Sequence, residues 1–166
     1  MIGRMHPNVE RVVAAARSAG LDLAVERFPA TTRTAVDAAQ AIGCEVAQIV
    51  KSLVFVADGR PVIALVSGAN RADAAKLARA LDATEVRRAD AAEARAATGF
   101  AIGGVPPFGH AGRMPVLVDR DLTRFSVVHA AAGLPDATFP IAPADLVRAS
   151  GGRVVDLADA SPPSPG

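Results

Sequence analysis

At 166 residues with a net charge of +1, and with 51% hydrophobic against 21% charged residues, the chain has the length and apolar content of one compact domain and is too apolar to remain unfolded. Its single cysteine, Cys44, excludes an internal disulfide framework and any multi-cysteine zinc site, while the near-neutral charge excludes a broad basic coat for nucleic acid. No apolar run reaches the about 18 residues of a membrane span, and the opening MIGRMHPNVER lacks the apolar stretch of a secretory leader, so a cytoplasmic protein with no membrane partner is expected.

From Asn8 the residues Val9, Val12, Val13 and Ala16 recur at helical spacing and Gly20 follows as a stop, which predicts a helix over 8–19. Leu21, Leu23 and Val25 then alternate with polar residues up to Phe28, the pattern of a half-buried strand. Thr34 to Ile42 reads as a second helix, ended by Gly43. In KSLVFVADGRPVIALVSG two apolar runs flank Asp58-Gly59, a favoured tight-turn dipeptide, so 51–57 and 61–67 should form a hairpin, with both faces covered because nearly every position is apolar. Asn70 is placed to cap a helix running to Leu81, with Ala72, Ala75, Leu77, Ala78 and Leu81 on its inner side. Thr84 to Arg87 has strand character, and Asp90 with Glu93 forms a capping pattern for a helix ending near Gly99. Further strands are expected at 115–118, 126–130 and 153–156, and a last helix over Pro143 to Ala149. The pattern is α+β, with a mixed, largely antiparallel sheet; residues 1–158 are expected to form a single domain and the proline-rich 159–166 a disordered tail.

The chain has sixteen arginines but only two lysines, Lys51 and Lys76. Lys51 stands between the apolar runs Ala47 to Val50 and Leu53 to Val56, where a long cation is out of place. Its compact ammonium can anchor a carbonyl or phosphate oxygen as a point donor, which a planar guanidinium would do with another geometry; a lysine snorkelling from a strand end has the same pattern. In Gly103-Gly104-Val105-Pro106-Pro107-Phe108-Gly109-His110 the prolines set φ and remove donors, while the glycines allow close approach. Such a loop can present main-chain N–H groups to an oxyanion or serve as a rigid connection. His6, His110 and His129 are too far apart for a sequence-local metal motif, and no metal or cofactor is expected. His129 could line a pocket from its strand or be satisfied inside the fold. Asp119 and Asp121, flanking Arg120 after a strand, could mimic a carboxylate pair but read rather as a solvated turn, Cys44 as packing, and Arg87, Arg88 and Arg95 as either a local basic cluster or a solvated helix end. Phosphate-binding glycine motifs are absent.

The ordered combination of VAQIVKSLVF, a hairpin, and TGFAIGGVPPFGH resembles the YbaK/EbsC family of aminoacyl-tRNA deacylases, relatives of the prolyl-tRNA synthetase editing domain, over residues 20–150. The resemblance implies a mixed sheet, partly closed as a barrel and surrounded by helices, and a trans-editing enzyme that hydrolyses the ester of a mischarged tRNA carrying Ala, Cys, Ser or Thr on a proline-type tRNA. It implies that Lys51 is required, that the GxxxP loop from Gly103 to Pro107 borders the ester and helps position it or the attacking water, and that Ser52 faces the same site; Gly103 and Gly104 are then the expected backbone donors. The tRNA's own 2′-hydroxyl is expected to help activate water. Phe28 and Thr31 are candidate pocket walls, and His129 stands where several relatives carry a small hydroxyl residue. The expected partner is the acceptor end of aminoacyl-tRNA, with an aminoacyl-tRNA synthetase as a second candidate. Two competing readings are a non-catalytic module of this fold that binds tRNA ends or a synthetase, and a hydrolase of another small ester or amide.

Overall fold

The computed structural model describes residues 5–29, 32 and 34–159. The first helix, α1 (Pro7–Ser18), starts with proline in its first turn, is capped by His6, whose Nδ1 accepts the Asn8 N–H at 3.0 Å, and buries the predicted Val9, Val12, Val13 and Ala16. The expected strand over 21–28 is much shorter: β1 is Glu26–Arg27 alone, because only these residues meet a partner strand, while Leu21, Leu23 and Val25 pack half-buried against the core without a ladder. Helix α2 (Ala35–Ile42) has a reciprocal cap between Thr34 and Asp37 and ends at Gly43 in the left-handed region.

A 3-10 helix (Val46–Gln48) leads into the hairpin of β2 (Ile49–Ala57) and β3 (Arg60–Ser67). Asp58 and Gly59 take φ of 48° and 81°, both positive as the tight turn demands. The Asp58 carboxylate accepts the N–H groups of Thr84 and Glu85, which ties the turn to the start of β4 (Val86–Arg88). Between them α3 (Ala74–Leu81) is capped by Asp73, not by Asn70: the Asp73 carboxylate accepts from Ala75 and Lys76, and Asn70 is engaged elsewhere. Leu77 is the buried anchor of α3, and Ala75 faces solvent. Helix α4 (Ala91–Thr98) has the predicted Asp90–Glu93 box and a left-handed Gly99 after it. Then follow β5 (Val116–Asp119), a 3-10 helix (Arg120–Arg124), β6 (Val128–Ala131), β7 (Ala137–Ile141), α5 (Pro143–Ser150) and β8 (Arg153–Val155).

Strand β7 has no clear signal in the sequence, since Pro140 interrupts its apolar run. Pro140 is tolerated because it is exposed and lies past the end of β1, so one of its flanks has no ladder to break. The strand order is β1-β7-β6-β2-β3-β5-β8, with β4 also on β2. Pairs β1–β7, β2–β3, β2–β4 and β6–β7 are antiparallel; β2–β6, β3–β5 and β5–β8 are parallel.

Alternation along the central strands divides the core. Ile63, Leu65, Val116 and Val118 face the cluster that holds α1, α4 and α5, whereas Val62, Ala64, Val66 and Leu117 face the one under α3. Both faces are thus covered, which is why the hairpin strands are apolar at consecutive positions. Phe139, fully buried and 5.7 Å from the Phe108 ring, joins β7 to the glycine-proline loop.

Candidate active site

The site originates in how β2 is paired. One edge of β2 is joined to β3 along almost its whole length, from Val50 to Ala57. The other edge is shared: β6 pairs with Ile49 and Val50, and β4 pairs with Phe55 to Ala57. Between these two partners residues 51–54 have no strand beside them, and the chain after β4 returns only far enough for the Ala89 N–H to reach the Val54 carbonyl at 3.0 Å. A cavity of about 280 Å³ opens at this split. Residues 49–54 form its floor, Ala35 and Ala38 of α2 one wall, Arg88 and Ala89 another, and Ile102, Gly103, His129 and Thr138 its remaining rim.

Four of the residues expected from the sequence therefore line one cavity: Lys51, Ser52, Gly103 and His129. Lys51 is half-buried and donates from Nζ to the Asn70 carbonyl at 2.5 Å. Desolvation lowers its pKa, the Arg88 and Arg71 guanidinium groups add to the effect, and the Asp119 carboxylate opposes it. Ser52 Oγ is buried and has no hydrogen-bond partner among the described residues. A hydroxyl left in that state costs about 1–3 kcal/mol and is a ready donor and acceptor for something entering the cavity. His129 has its pKa lowered by burial, with the Glu26 carboxylate pulling the other way, a balance that favours the neutral imidazole.

The two glycines of the loop do different things. Gly103 takes a φ of 91° and its N–H meets no acceptor among the described residues. Gly104, expected as a second donor, already gives its N–H to the Ala101 carbonyl at 3.0 Å, and it does not line the cavity. Its lack of a side chain serves close approach instead: a Cβ there would lie 3.0 Å from both the Gly133 oxygen and the Leu134 Cα. Pro107 is buried behind the rim, and His110 Nε2 lies 2.6 Å from the Pro106 carbonyl oxygen, clasping the loop on itself. Phe28 is half-buried, gives its N–H to the Asp136 carbonyl at 2.7 Å and is not a wall of this cavity. Thr31 lies outside the described residues.

Sequence reasoning missed Arg88 as a wall, and it gave Asn70 a helix cap and Asp119 a turn instead of a place beside Lys51. Arg87 and Arg88 look equivalent in the sequence, but they point to opposite duties: Arg87 is bound at 2.8 Å by both oxygens of Glu93, while Arg88 lines the cavity and lies 5.5 Å from the Phe55 ring centroid. Asp119 is not in a solvated turn; it is completely buried. Among the described residues no three His, Cys, Asp or Glu side chains converge as a metal-ligating group, and no helix is long and apolar enough to cross a membrane.

Residues 29–149 match the family model described as an aminoacyl-tRNA editing domain, a stretch that includes every described wall of the cavity. The chain belongs to the aminoacyl-tRNA editing domain family. The editing domain is 32% identical to the YwhH protein of Bacillus subtilis over 130 residues, covering 78% of this chain and 83% of that one. It is 26% identical over 125 residues to EbsC of Enterococcus faecalis, a proposed Cys-tRNA(Pro)/Cys-tRNA(Cys) deacylase, covering 75% of this chain and 76% of the relative. Similarity to the proline–tRNA ligase of Acidithiobacillus ferrooxidans, 35% identical over 100 residues, spans 60% of this chain but 18% of the ligase. Among solved structures, a proposed trans-editing enzyme for prolyl-tRNA synthetase superimposes with a TM-score of 0.89 at 45% identity, over 94% of this chain and 99% of the other. The mixed α+β architecture is thus that of the editing fold.

Proposed function

We propose that this editing domain acts in trans as a deacylase, hydrolysing the ester that joins a small wrong amino acid, Ala, Cys, Ser or Thr, to the 3′ end of a proline-type tRNA. The observation that carries the reading is the Lys51 ammonium, held at the cavity by one main-chain carbonyl and facing no carboxylate at ion-pair distance among the described residues. A cation kept partly desolvated in this way is free to meet an oxygen of the substrate.

The chemistry asked of the site is small, because an aminoacyl ester is already activated. Water adds to the ester carbonyl, the oxyanion forms, and the bond from the carbonyl carbon to the ribose oxygen breaks, with the proton of water passing to that oxygen. Lys51 and the Gly103 N–H stabilise the negative charge, and Ser52 binds a polar group of the aminoacyl-adenosine end. The neutral His129 forms a polar wall for the amino-acid side chain, and the substrate's 2′-hydroxyl helps orient the water. A second sieve of this kind is needed because one methylene gives a synthetase pocket only about 1–3 kcal/mol of discrimination. Recognition is centred on the acceptor end, in keeping with a net charge of +1; prolyl-tRNA synthetase is the natural candidate for a protein partner.

The test is deacylation of tRNAPro charged with alanine, cysteine, serine or threonine by wild type and by Lys51→Ala, with folding matched by thermal unfolding. At least one species should be cleaved by the wild type, and the variant should be slower by about 10²–10³, the cost of removing one oxyanion donor. If no species is cleaved faster than in buffer, or if Lys51→Ala is as fast as the wild type, this assignment is wrong.

A further inference from the structure

We propose that Asn70, clamped between Asp119 and Asp121, is the positioning residue that aims the Lys51 ammonium into the cavity; the proposal concerns the reaction assigned above and rests on that assignment for its catalytic consequence. A lysine has a flexible four-carbon stem, and an ammonium without a fixed acceptor would sample many positions. Here the acceptor is the main-chain oxygen of Asn70 at 2.5 Å.

That oxygen belongs to a loop between β3 and α3, so something must hold the loop. Asn70 Nδ2 donates to Asp119 Oδ2 at 2.9 Å and to Asp121 Oδ2 at 2.8 Å. Two carboxylates on one side leave only the nitrogen end of the amide able to face them, so the orientation of the side chain is determined by its partners. Asp119 is immobilised in turn: it is fully buried at the end of β5, where its Oδ2 also accepts the Ser67 N–H at 3.1 Å and its Oδ1 accepts the Asp121 N–H at 3.0 Å. A Cβ on Gly68 would collide with the Val46 carbonyl oxygen, so glycine is what lets this loop pass close to the start of β2. The chain of contacts runs from the rigid sheet to the ammonium through a single asparagine.

The carboxylate does more than hold the loop. The charged groups acting on Lys51 are Arg88 on β4, Arg71 in the same loop as Asn70, and Asp119; the two arginines disfavour the ammonium and Asp119 favours it. Asparagine suits position 70 because an aspartate there would place a third carboxylate against the other two, without donors.

The chain's two lysines make the test simple, since 13C-labelled lysine gives one Cε signal for Lys51 and one for Lys76, the latter an internal reference held by Asp156. In full-length Asn70→Ala the Lys51 signal should move and lose its fixed environment while that of Lys76 stays. On cognate mischarged tRNA the variant should lose about tenfold to a hundredfold in kcat with KM little changed, and Asn70→Ala combined with Lys51→Ala should be no slower than Lys51→Ala alone. Asp121→Ala provides the same readouts should Asn70→Ala fail to fold. Asp119→Asn should move the Lys51 titration, and the alkaline limb of activity, to lower pH. An unmoved Lys51 signal in a folded Asn70→Ala or Asp121→Ala protein overturns the proposal, as does a double variant in which the two losses multiply. The spectroscopic arm needs no tRNA, so it decides the positioning role even if the deacylase assignment fails.

Discussion

Lys76 gives its ammonium to both carboxylate oxygens of Asp156 at 3.0 Å and to the Ala158 carbonyl at 2.6 Å, whereas Lys51 gives its own to one main-chain carbonyl and is flanked by two arginines. Lys76 fastens the segment after β8 onto α3, and its charge is answered where it stands. The Lys51 charge is answered only in part, by the field of the buried Asp119, whose carboxylate also holds the Asn70 loop. The same residue type is a clasp in one region and a partly answered charge at a cavity in the other, and the difference lies in the partners that the fold brings to each.

The sharpest way to break this comparison is Lys51→Arg, which keeps the charge and changes the shape. If the compact ammonium matters, deacylation should fall by about 10² despite the retained charge; wild-type activity would reduce Lys51 to a generic cation. The lowered pKa of Lys51 adds a signed pH test. Enzyme-dependent deacylation should fall as pH rises through that pKa, earlier than for an ordinary lysine. In the window between the folded and unfolded values the unfolded chain binds more protons, so stability should rise with pH there while activity falls. Thermal melts and initial rates over the same alkaline range check whether the two trends diverge.

Smaller effects test the walls. Gly104→Ala should cost about 1–3 kcal/mol of stability in urea unfolding, because its Cβ meets main chain and not a movable side chain; an unchanged midpoint would show that the loop shifts freely. Ser52→Ala should go the other way, gaining about 1 kcal/mol by removing an unpartnered buried hydroxyl while raising KM for the mischarged tRNA. A loss of stability would mean that the hydroxyl has a partner in solution. The smallest change is expected from Lys76→Ala, below about 1 kcal/mol and with no change in deacylation, because the Lys76–Asp156 pair is partly exposed and neither residue lines the cavity.

Much of the local structure was legible because its causes are local. The helix over 7–18, the Asp58-Gly59 hairpin and the Asp90–Glu93 box depend on spacing, turn conformation and capping within a few residues. The errors fall where a distant partner decides. Residues 21–25 alternate like a strand yet lack one to pair with, and 137–141 forms a strand despite Pro140 because β6 and β1 lie on either side of it. Asn70 has the residue type and place of a helix cap, and was drawn off by two carboxylates about fifty positions away.

The candidate site divides along the same line. Sequence alone singled out Lys51, as a cation in an apolar strand, and the glycine-rich loop, because residue identity and neighbours along the chain carry those signals. Only the tertiary structure decided that β2 is split between β4 and β6, that Ser52 and His129 open onto the resulting gap, that Gly103 and not Gly104 lines it and keeps its N–H without a partner among the described residues, and that Asp119 and Asn70 stand behind Lys51. The physical reason is that a hydrogen bond or a buried charge is satisfied by whatever lies within a few ångströms, and strand order, not chain order, determines what that is.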